Sequence, residues 1–261
     1  MTEMTAYTPG TFCWIDLGAS DAVAAKKFYT DLFGWQAVDM PAGPDMTYTM
    51  FQIDGKDVAG MYQQGQDEQD IPPHWNSYVS VASVEEIAAK AKSLGGTVMV
   101  EPLDVFESGR MTILQDPTGG VVAAWQPQRH IGAQLVNQPG TLCWNELATR
   151  DWQKAAEFYT QLFGWTAQTQ PMAGTEYTVF SNGDRMAAGM IQMTPEWGDI
   201  PPHWMVYLTV TDCDASAEKV TALGGKVLVP PTDIPDMGRF AVAQDPQGAA
   251  FSFIKLDNPP V

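Results

Sequence analysis

The chain opens its first clear element with alternating apolar and polar residues, followed at once by a helical spacing. Cys13, Ile15 and Leu17 form an apolar set that should face a helix, so Trp14 and Asp16 should point to the opposite side of the strand. Apolar residues then recur three and four positions apart, which is the stripe of an amphipathic helix. That stripe consists of Ala24, Ala25, Phe28, Tyr29 and Leu32.

The whole pattern returns 129 or 130 residues later, because CWIDLGASD recurs as CWNELATRD, FYTDLFGW as FYTQLFGW, and DIPPHW appears twice. An offset this long indicates duplication of a whole domain rather than a short repeat. We therefore expect a first domain over 1–128, a linker over 129–138 and a second domain over 139–261. Each domain should hold two modules, with limits 9–70, 71–128, 139–199 and 200–255.

Each module follows the same order of predicted elements. Ser20 and Asp21 are candidate caps for the first helix, and Ser83 with Glu86 has the spacing of a capping box. Asp54-Gly55 and Asn182-Gly183 are typical hairpin turns between short strands. The prediction is an α+β fold of four βαβββ modules, paired into two half-open barrels with helices outside and a concave cleft inside.

Composition narrows the possible partners. The chain has 14 Lys and Arg against 31 Asp and Glu, a formal charge of -17, which disfavours nucleic acid and anionic membranes. Three cysteines without short spacing favour neither a disulfide framework nor a zinc cluster, as in a reducing cytoplasm. No signal segment or membrane span is visible, so we expect a cytoplasmic protein. We expect it to be either a monomer, which is a pseudo-dimer within one chain, or a homodimer.

At this point the sequence resembles the vicinal oxygen chelate superfamily, which holds glyoxalase I, the fosfomycin and bleomycin resistance proteins and the extradiol dioxygenases. The resemblance rests on the helix segments SDAVAAKKFYTDLFGW and RDWQKAAEFYTQLFGW, and on the closing segments GRMTILQDPTGGVVAAW and GRFAVAQDPQGAAFSF. It covers 9–128 and 139–255. More narrowly, the tandem layout resembles the CFP32-type mycobacterial antigens and an actinomycete protein assigned to kirromycin resistance.

The resemblance implies a glyoxalase-like fold and, in most members, a divalent metal held by His, Glu or Gln. Here the corresponding positions carry Trp14, Asn76, Ala123, Trp144, Met205 and Ser252. Indole, thioether and methyl groups are unsuitable ligands for hard metal ions. We therefore expect a metal-free protein without a cofactor.

One alternative remains open: a metal-dependent lyase or dioxygenase with a displaced site around Glu146 and His203. Two donors fall short of the three protein ligands that zinc or iron normally needs. His74 and His203 each follow Pro-Pro, where an imidazole can bond a loop carbonyl, and His130 should pack or bond between the domains.

The predicted clefts suit a small hydrophobic or aromatic compound, bound for resistance or sequestration. Trp75, Trp125, Trp204 and Thr209 are expected beside the principal candidates, while Trp35 and Trp165 are expected in the core. The principal ligand-binding candidates are Trp14, Asp16, Asn76, Tyr78, Trp144, Glu146, Met205, Tyr207 and Ser252. In a third interpretation the aromatic residues only fill closed barrels and the protein is a scaffold.

No catalytic residues are predicted. Cys13 and Cys143 should face the core, and neither a Gly-x-Ser-x-Gly elbow nor a glycine-rich phosphate loop occurs. Arg110 and Arg239 could meet an anion, but we expect each to pair locally, with Asp116 and Asp245 respectively.

Overall fold

The computed structural model describes residues 2–43, 46–68, 70–172 and 174–258. The last residues of the expected second domain, 259–261, lie outside the described part. The elements up to residue 136 are β1 (Thr2–Glu3), β2 (Phe12–Ala19), α1 (Ala22–Phe33), β3 (Gln36–Pro41), β4 (Thr47–Ile53), β5 (Lys56–Gln63), β6 (His74–Ser80), α2 (Val84–Ser93), β7 (Thr97–Val105), β8 (Gly109–Gln115), β9 (Val121–Pro127) and β10 (Leu135–Val136). The remaining elements are β11 (Leu142–Thr149), α3 (Trp152–Phe163), β12 (Thr166–Met172), β13 (Thr175–Asn182), β14 (Arg185–Gln192), β15 (His203–Thr209), α4 (Cys213–Ala222), β16 (Lys226–Ile234), β17 (Gly238–Gln244) and β18 (Ala250–Leu256).

The prediction of four βαβββ modules is confirmed, and they form two eight-stranded mixed sheets that do not close into barrels. The first sheet has the strand order β3-β4-β5-β2-β6-β9-β8-β7, and the second has β12-β13-β14-β11-β15-β18-β17-β16. In each sheet the first strands of the two modules, β2 with β6 and β11 with β15, pair antiparallel at the centre.

Local sequence explains where the helices begin. Asp21 accepts hydrogen bonds from the backbone N–H groups of Val23 and Ala24, and Gly34 ends α1 in a left-handed conformation. Ser83 caps α2 through the N–H of Glu86, as predicted. The Asp54-Gly55 turn also forms, but its counterpart falls one residue later than expected, because β13 continues through Asn182.

The helices lie between the two sheets, where the halves share their hydrophobic cores. α1 packs near α4, and α2 near α3. The Tyr29 hydroxyl in α1 donates to Asp245 Oδ2 (3.1 Å), and the equivalent Tyr159 in α3 donates to Asp116 Oδ2 (2.8 Å). Each half therefore completes its core with a buried carboxylate of the other, and the outer, concave sheet faces are left for other roles.

Trp35 and Trp165 lie in these cores, as expected, but two other predictions about side-chain direction are wrong. Trp75 donates to the Tyr29 hydroxyl and Trp204 to that of Tyr159, so both tryptophans face the helices and not the clefts. Residues adjacent to His74 and His203 point to the opposite sheet face, and strand alternation alone would have placed both tryptophans correctly.

The prediction from strand alternation that Cys13 faces the helix-packed core is also wrong. The pairing of β2 with β6 shifts between Phe12 and Trp14, and this bulge turns Cys13 away from the helix-facing cluster of Ile15 and Leu17. Cys13 packs instead beside Trp14 and Tyr78 on the concave side.

Candidate functional site

On the first sheet, strand alternation and register bring a buried carboxylate under three hydrogen-bond donors. Asp16 lies opposite Asn76, and Trp14 opposite Tyr78, on the concave face. Asn76 Nδ2 donates to Asp16 Oδ1 (3.0 Å), while the hydroxyls of Tyr48 and Tyr78 donate to Oδ2 (2.9 and 3.0 Å). Trp14 Nε1 in turn donates to the Tyr48 hydroxyl (2.9 Å). We call these five residues the first carboxylate cluster.

The second sheet carries an equivalent group, the second carboxylate cluster, formed by Trp144, Glu146, Tyr177 and Tyr207. The hydroxyl of Tyr177 donates to Glu146 Oε2 and that of Tyr207 to Oε1, both at 2.8 Å. Trp144 Nε1 approaches the Tyr177 hydroxyl at 3.3 Å. Met205 lies opposite Glu146, where the first sheet has Asn76, so among the described residues this carboxylate has two protein donors rather than three.

Burial controls the electrostatics of both clusters. Burial raises the pKa of the Asp16 carboxyl above its usual range, and the bonds from Asn76, Tyr48 and Tyr78 partly oppose this rise. The pKa of Glu146 is raised for the same reason. Burial and, after it, the neighbouring carboxylate raise the pKa of the four tyrosines well above 10. These phenols therefore remain protonated donors at neutral pH.

A glycine on the adjacent strand makes room for one tyrosine of each cluster. A Cβ atom on Gly60 would lie 2.0 Å from the Tyr48 hydroxyl, and one on Gly189 would lie 2.2 Å from that of Tyr177. Both glycines therefore position a phenol over the strand so that it reaches the carboxylate.

The two clusters differ in what covers them. Trp14 and Asp16 are only 4% and 3% exposed, whereas Trp144 and Glu146 are partly exposed. The His130 ring packs edge-on against Trp14, with ring centroids 4.6 Å apart. The backbone carbonyl of His130 accepts a hydrogen bond from Trp125 Nε1 (2.9 Å). Burial lowers the pKa of His130, which favours a neutral ring. His130 therefore packs on the first sheet and not between the halves, so the predicted position is wrong.

The other residues predicted to line the clefts lie partly on the concave faces and partly in the cores. Trp125 lies on the first concave face, as predicted, whereas Trp75 and Trp204 do not. Ser252 pairs with Tyr207 across β15 and β18, and its buried hydroxyl lacks a well-formed hydrogen bond to any described residue. In the described part of the chain, the buried hydroxyl of Thr209 also lacks such a bond.

Sequence reasoning missed Tyr48 and Tyr177, which hold the carboxylates. Both lie near the start of strands, β4 and β13, that the sequence predicts only as hairpin arms. The paired recurrence of Tyr48 with Gly60, and of Tyr177 with Gly189, was the available signal.

The other candidate groups have structural partners. His74 and His203 bond the carbonyls of Pro72 and Pro201 through Nδ1, both at 2.8 Å, which confirms the prediction. The cysteine thiols have pKa values raised by burial, to about 12 for Cys143 and about 11 for Cys213, so neither is activated as a nucleophile.

The predicted partners of the arginines are wrong. Arg110 pairs with Glu85 and Asp104, and Arg239 with Asp214 and Asp233. In both modules the guanidinium reaches the first turn of the module's helix, while Asp116 and Asp245 are occupied by the tyrosines of the opposite half.

Open surface pockets in the described part of the chain lie away from the carboxylate clusters, and two are large enough to name. The larger, about 510 Å³, lies between the β12–β13 hairpin and the segment after β14, and includes Thr175, Glu176 and Met193. The smaller, about 210 Å³, lies between the halves and includes Lys90 and Phe163.

The residues at the family's ligand positions do not fit a metal ion. Within the described ranges, no group of three His, Cys, Asp or Glu side chains comes together. On the second sheet Glu146 lies opposite Met205 and Ala148 opposite His203, so the displaced pair still lacks a third donor. No step through a metal follows from this arrangement.

The fold and these positions define the class of protein. A family model described as Glyoxalase/Bleomycin resistance protein/Dioxygenase superfamily matches residues 11–123 and 133–253. This chain belongs to that superfamily. No helix in the described part of the chain is long and apolar enough to span a membrane.

Two relatives align over nearly their whole length. The CFP32 protein of Mycobacterium tuberculosis, whose name carries a provisional glyoxylase assignment, is 43% identical over 258 residues, 98% of either chain. The anthracycline biosynthesis protein DnrV of Streptomyces peucetius is 34% identical, covering 97% of this chain and 96% of its own.

Solved structures agree at the level of the fold. The 2,3-dioxygenase LapB of Pseudomonas sp. KL28 superposes with a TM-score of 0.66 at 12% identity, covering 96% of this chain and 93% of its own. The Mn(II)-bound glyoxalase of Novosphingobium aromaticivorans gives 0.65 at 15% identity, covering 97% and 86%.

Proposed function

We propose that this protein binds a small planar aromatic compound on a concave sheet face, without a metal ion, and thereby sequesters or carries it. The observation behind this proposal is the carboxylate cluster. In both halves, positions that hold metal ligands in other family members carry indole and amide, thioether or small side chains around one carboxylate held by phenols.

The clusters have the chemistry of a binding site for such a compound. Aromatic walls contribute contact area and stacking, and a fixed acceptor orients the guest. Each carboxylate oxygen has more than one lone-pair direction, so Glu146 can accept a bond from a ligand hydroxyl or amine beside those from Tyr177 and Tyr207. The strongly negative chain favours a neutral or cationic guest over an anionic one.

Relatives add a substrate class to the proposal. DnrV and DauV are named as anthracycline biosynthesis proteins, and each is 34% identical over 97% of this chain. Anthracyclines contain a planar fused-ring chromophore with hydroxyl groups, which matches an aromatic face with a carboxylate acceptor. Antibiotic resistance by sequestration belongs to the same proposal.

The test uses two probes that differ in one donor group, 2-hydroxyanthraquinone and anthraquinone, titrated against tryptophan fluorescence and by calorimetry. We expect the hydroxylated probe to bind about tenfold tighter, since the added hydrogen bond to the Glu146 carboxyl group contributes roughly 1.5 kcal/mol. The Trp14→Phe/Trp144→Phe double variant should bind about tenfold more weakly, because stacking by indole is lost.

Chelator treatment is the matched control for the metal question. Binding that persists after EDTA supports the metal-free site, whereas binding that disappears and returns with Mn²⁺ or Zn²⁺ contradicts it. If neither probe quenches fluorescence or raises the melting temperature, binding of this ligand class is refuted.

A further inference from the structure

The chain covers one of its own two concave faces. The segment 129–136, which we call the linker segment, packs against Trp14 and Tyr78 of the first carboxylate cluster. Ala133 N–H donates to the carbonyl of Cys13 (2.7 Å), at the bulge that precedes Trp14. The linker segment is therefore fastened to the strand that carries Trp14 and Asp16.

Further bonds fasten the same segment on its other side. The N–H of Gln134 donates to the carbonyl of Asp57 (2.7 Å), and the side chain of Gln134 accepts from the N–H of Asp57 (2.9 Å). The Tyr7 hydroxyl donates to the carbonyl of Ala133 (2.7 Å), and β10 pairs with β1. Two separate parts of the chain thus close over the first sheet together.

The covering residues pack like a ligand. Ala133 and Val136 belong to one apolar cluster with Trp14, Tyr78 and Trp125. The His130 ring adds an edge-on contact to Trp14 at 4.6 Å. These are the contacts that a flat guest would make with an aromatic wall.

The second sheet has no such cover within the described residues. After β18, the N–H of Asp257 bonds the carbonyl of Met237, and only Asn258 follows before the undescribed residues. Trp144, Glu146 and Cys143 are partly exposed, whereas their counterparts Trp14, Asp16 and Cys13 are buried.

We propose that the linker segment is an internal occupant of the first concave face, so that ligands enter only the second face, at Trp144 and Glu146. This inference rests on the proposed function and adds a stoichiometry of one ligand per chain to it. The duplicated first site then serves to anchor the connection between the halves.

Solvent access to the two tryptophans tests closure without any ligand. We would label the full chain with 5-fluorotryptophan, assign the ¹⁹F signals with Trp14→Phe and Trp144→Phe, and add the neutral nitroxide TEMPOL. The expected result is severalfold greater relaxation enhancement at Trp144 than at Trp14. Equal enhancement at both positions would overturn the closure of the first face.

A glycine substitution tests whether the linker segment provides the closure. Gly132 has φ +109° and a Cβ there would lie 2.3 Å from the Cys13 carbonyl, so Gly132→Ala should push the segment away and raise the enhancement at Trp14 severalfold. Gly248 has the same φ but its nearest neighbour would be 3.6 Å away, so Gly248→Ala carries the backbone strain without the clash.

His130→Ala is the second variant if Gly132→Ala does not fold, since it removes the ring over Trp14 without a backbone clash. Protection of Trp14 that survives in every folded variant of Gly132 and His130 would contradict the inference.

Ligand binding separates this inference from the function itself. With 2-hydroxyanthraquinone we expect one site per chain by calorimetry, a ¹⁹F shift at Trp144 and none at Trp14. Two sites, or a shift at Trp14, would overturn the inference and leave the proposed function standing. Absence of binding with unequal TEMPOL access would refute the proposed function alone.

Discussion

Trp14 and Trp144 occupy equivalent positions on two sheets built from the same repeat, yet one is sealed beneath the linker segment and the other is partly exposed. Both donate toward a tyrosine that holds a carboxylate, so the local chemistry has been kept while the surroundings have changed. The difference shows that strand register builds the site, whereas its accessibility depends on segments outside the repeat.

The largest expected effect on the free energy of unfolding comes from replacing each of these two tryptophans by alanine. Trp14→Ala should reduce the free energy of unfolding by about 4 kcal/mol, as for a large aromatic residue removed from a packed core. Trp144→Ala should cost about half as much, since its side chain is already partly hydrated. Urea unfolding of the two variants measures the difference. Equal losses would show that the second face is as closed as the first.

Substitution of the glycines that lie against the tyrosines should have the next largest effect on stability. Gly60→Ala should destabilise the protein by about 3 kcal/mol, because the Tyr48 hydroxyl lies 2.0 Å from the new Cβ and is confined by the covered face. Gly189→Ala should cost about 1 kcal/mol, because Tyr177 can swing toward the more open side.

Infrared or ¹³C-detected titration of Glu146 in Gly189→Ala supplies the control, since loss of the Tyr177 bond should change the titration of that carboxyl. An unchanged Glu146 signal would mean that Tyr177 keeps its place.

The sequence predicted the fold well because strand alternation and helical spacing are visible within short stretches, and the duplication repeats both. Alternation placed Trp14, Asp16, Trp144 and Glu146 on the concave faces. The phenols of Tyr48 and Tyr177 were missed because they reach the carboxylates from strands more than 30 residues away, a distance that periodicity does not encode.

The ion-pair partners of the arginines and the position of the linker segment could not be predicted from short stretches of sequence either. Arg110 lies beside Glu85 only after α2 has packed against its sheet. The route of the linker segment depends on contacts with Cys13 and Asp57, and the repeated sequence motifs do not predict these contacts.

The pH dependence of stability should have the same sign in both clusters. Folded Asp16 and Glu146 hold their protons more tightly than the unfolded chain, because burial raises their pKa values. Their contributions are therefore complete below the unfolded values of about 4 and decline as the pH rises through the folded ones. Asp16→Asn and Glu146→Gln should each flatten that decline.

Urea unfolding measured from pH 4 to pH 8 checks this expectation. Saturating 2-hydroxyanthraquinone should alter the pH slope through Glu146 and through its own acidic phenol, but not through Asp16. The ligand effect should therefore shrink in Glu146→Gln and persist in Asp16→Asn. A steeper decline in either variant would contradict the assigned direction.

The smallest effect comes from exchanging Asn76 and Met205, the residues that lie opposite the two carboxylates. Asn76→Met removes a donor from Asp16 Oδ1 and should cost about 1 kcal/mol, the typical net value of a hydrogen bond. Met205→Asn should change stability by less, since Glu146 lies nearer to water, but it supplies an amide donor that competes with the ligand hydroxyl. The preference for 2-hydroxyanthraquinone over anthraquinone should then shrink, while affinity for anthraquinone stays constant. A preserved preference would show that the ligand hydroxyl bonds a group other than Glu146.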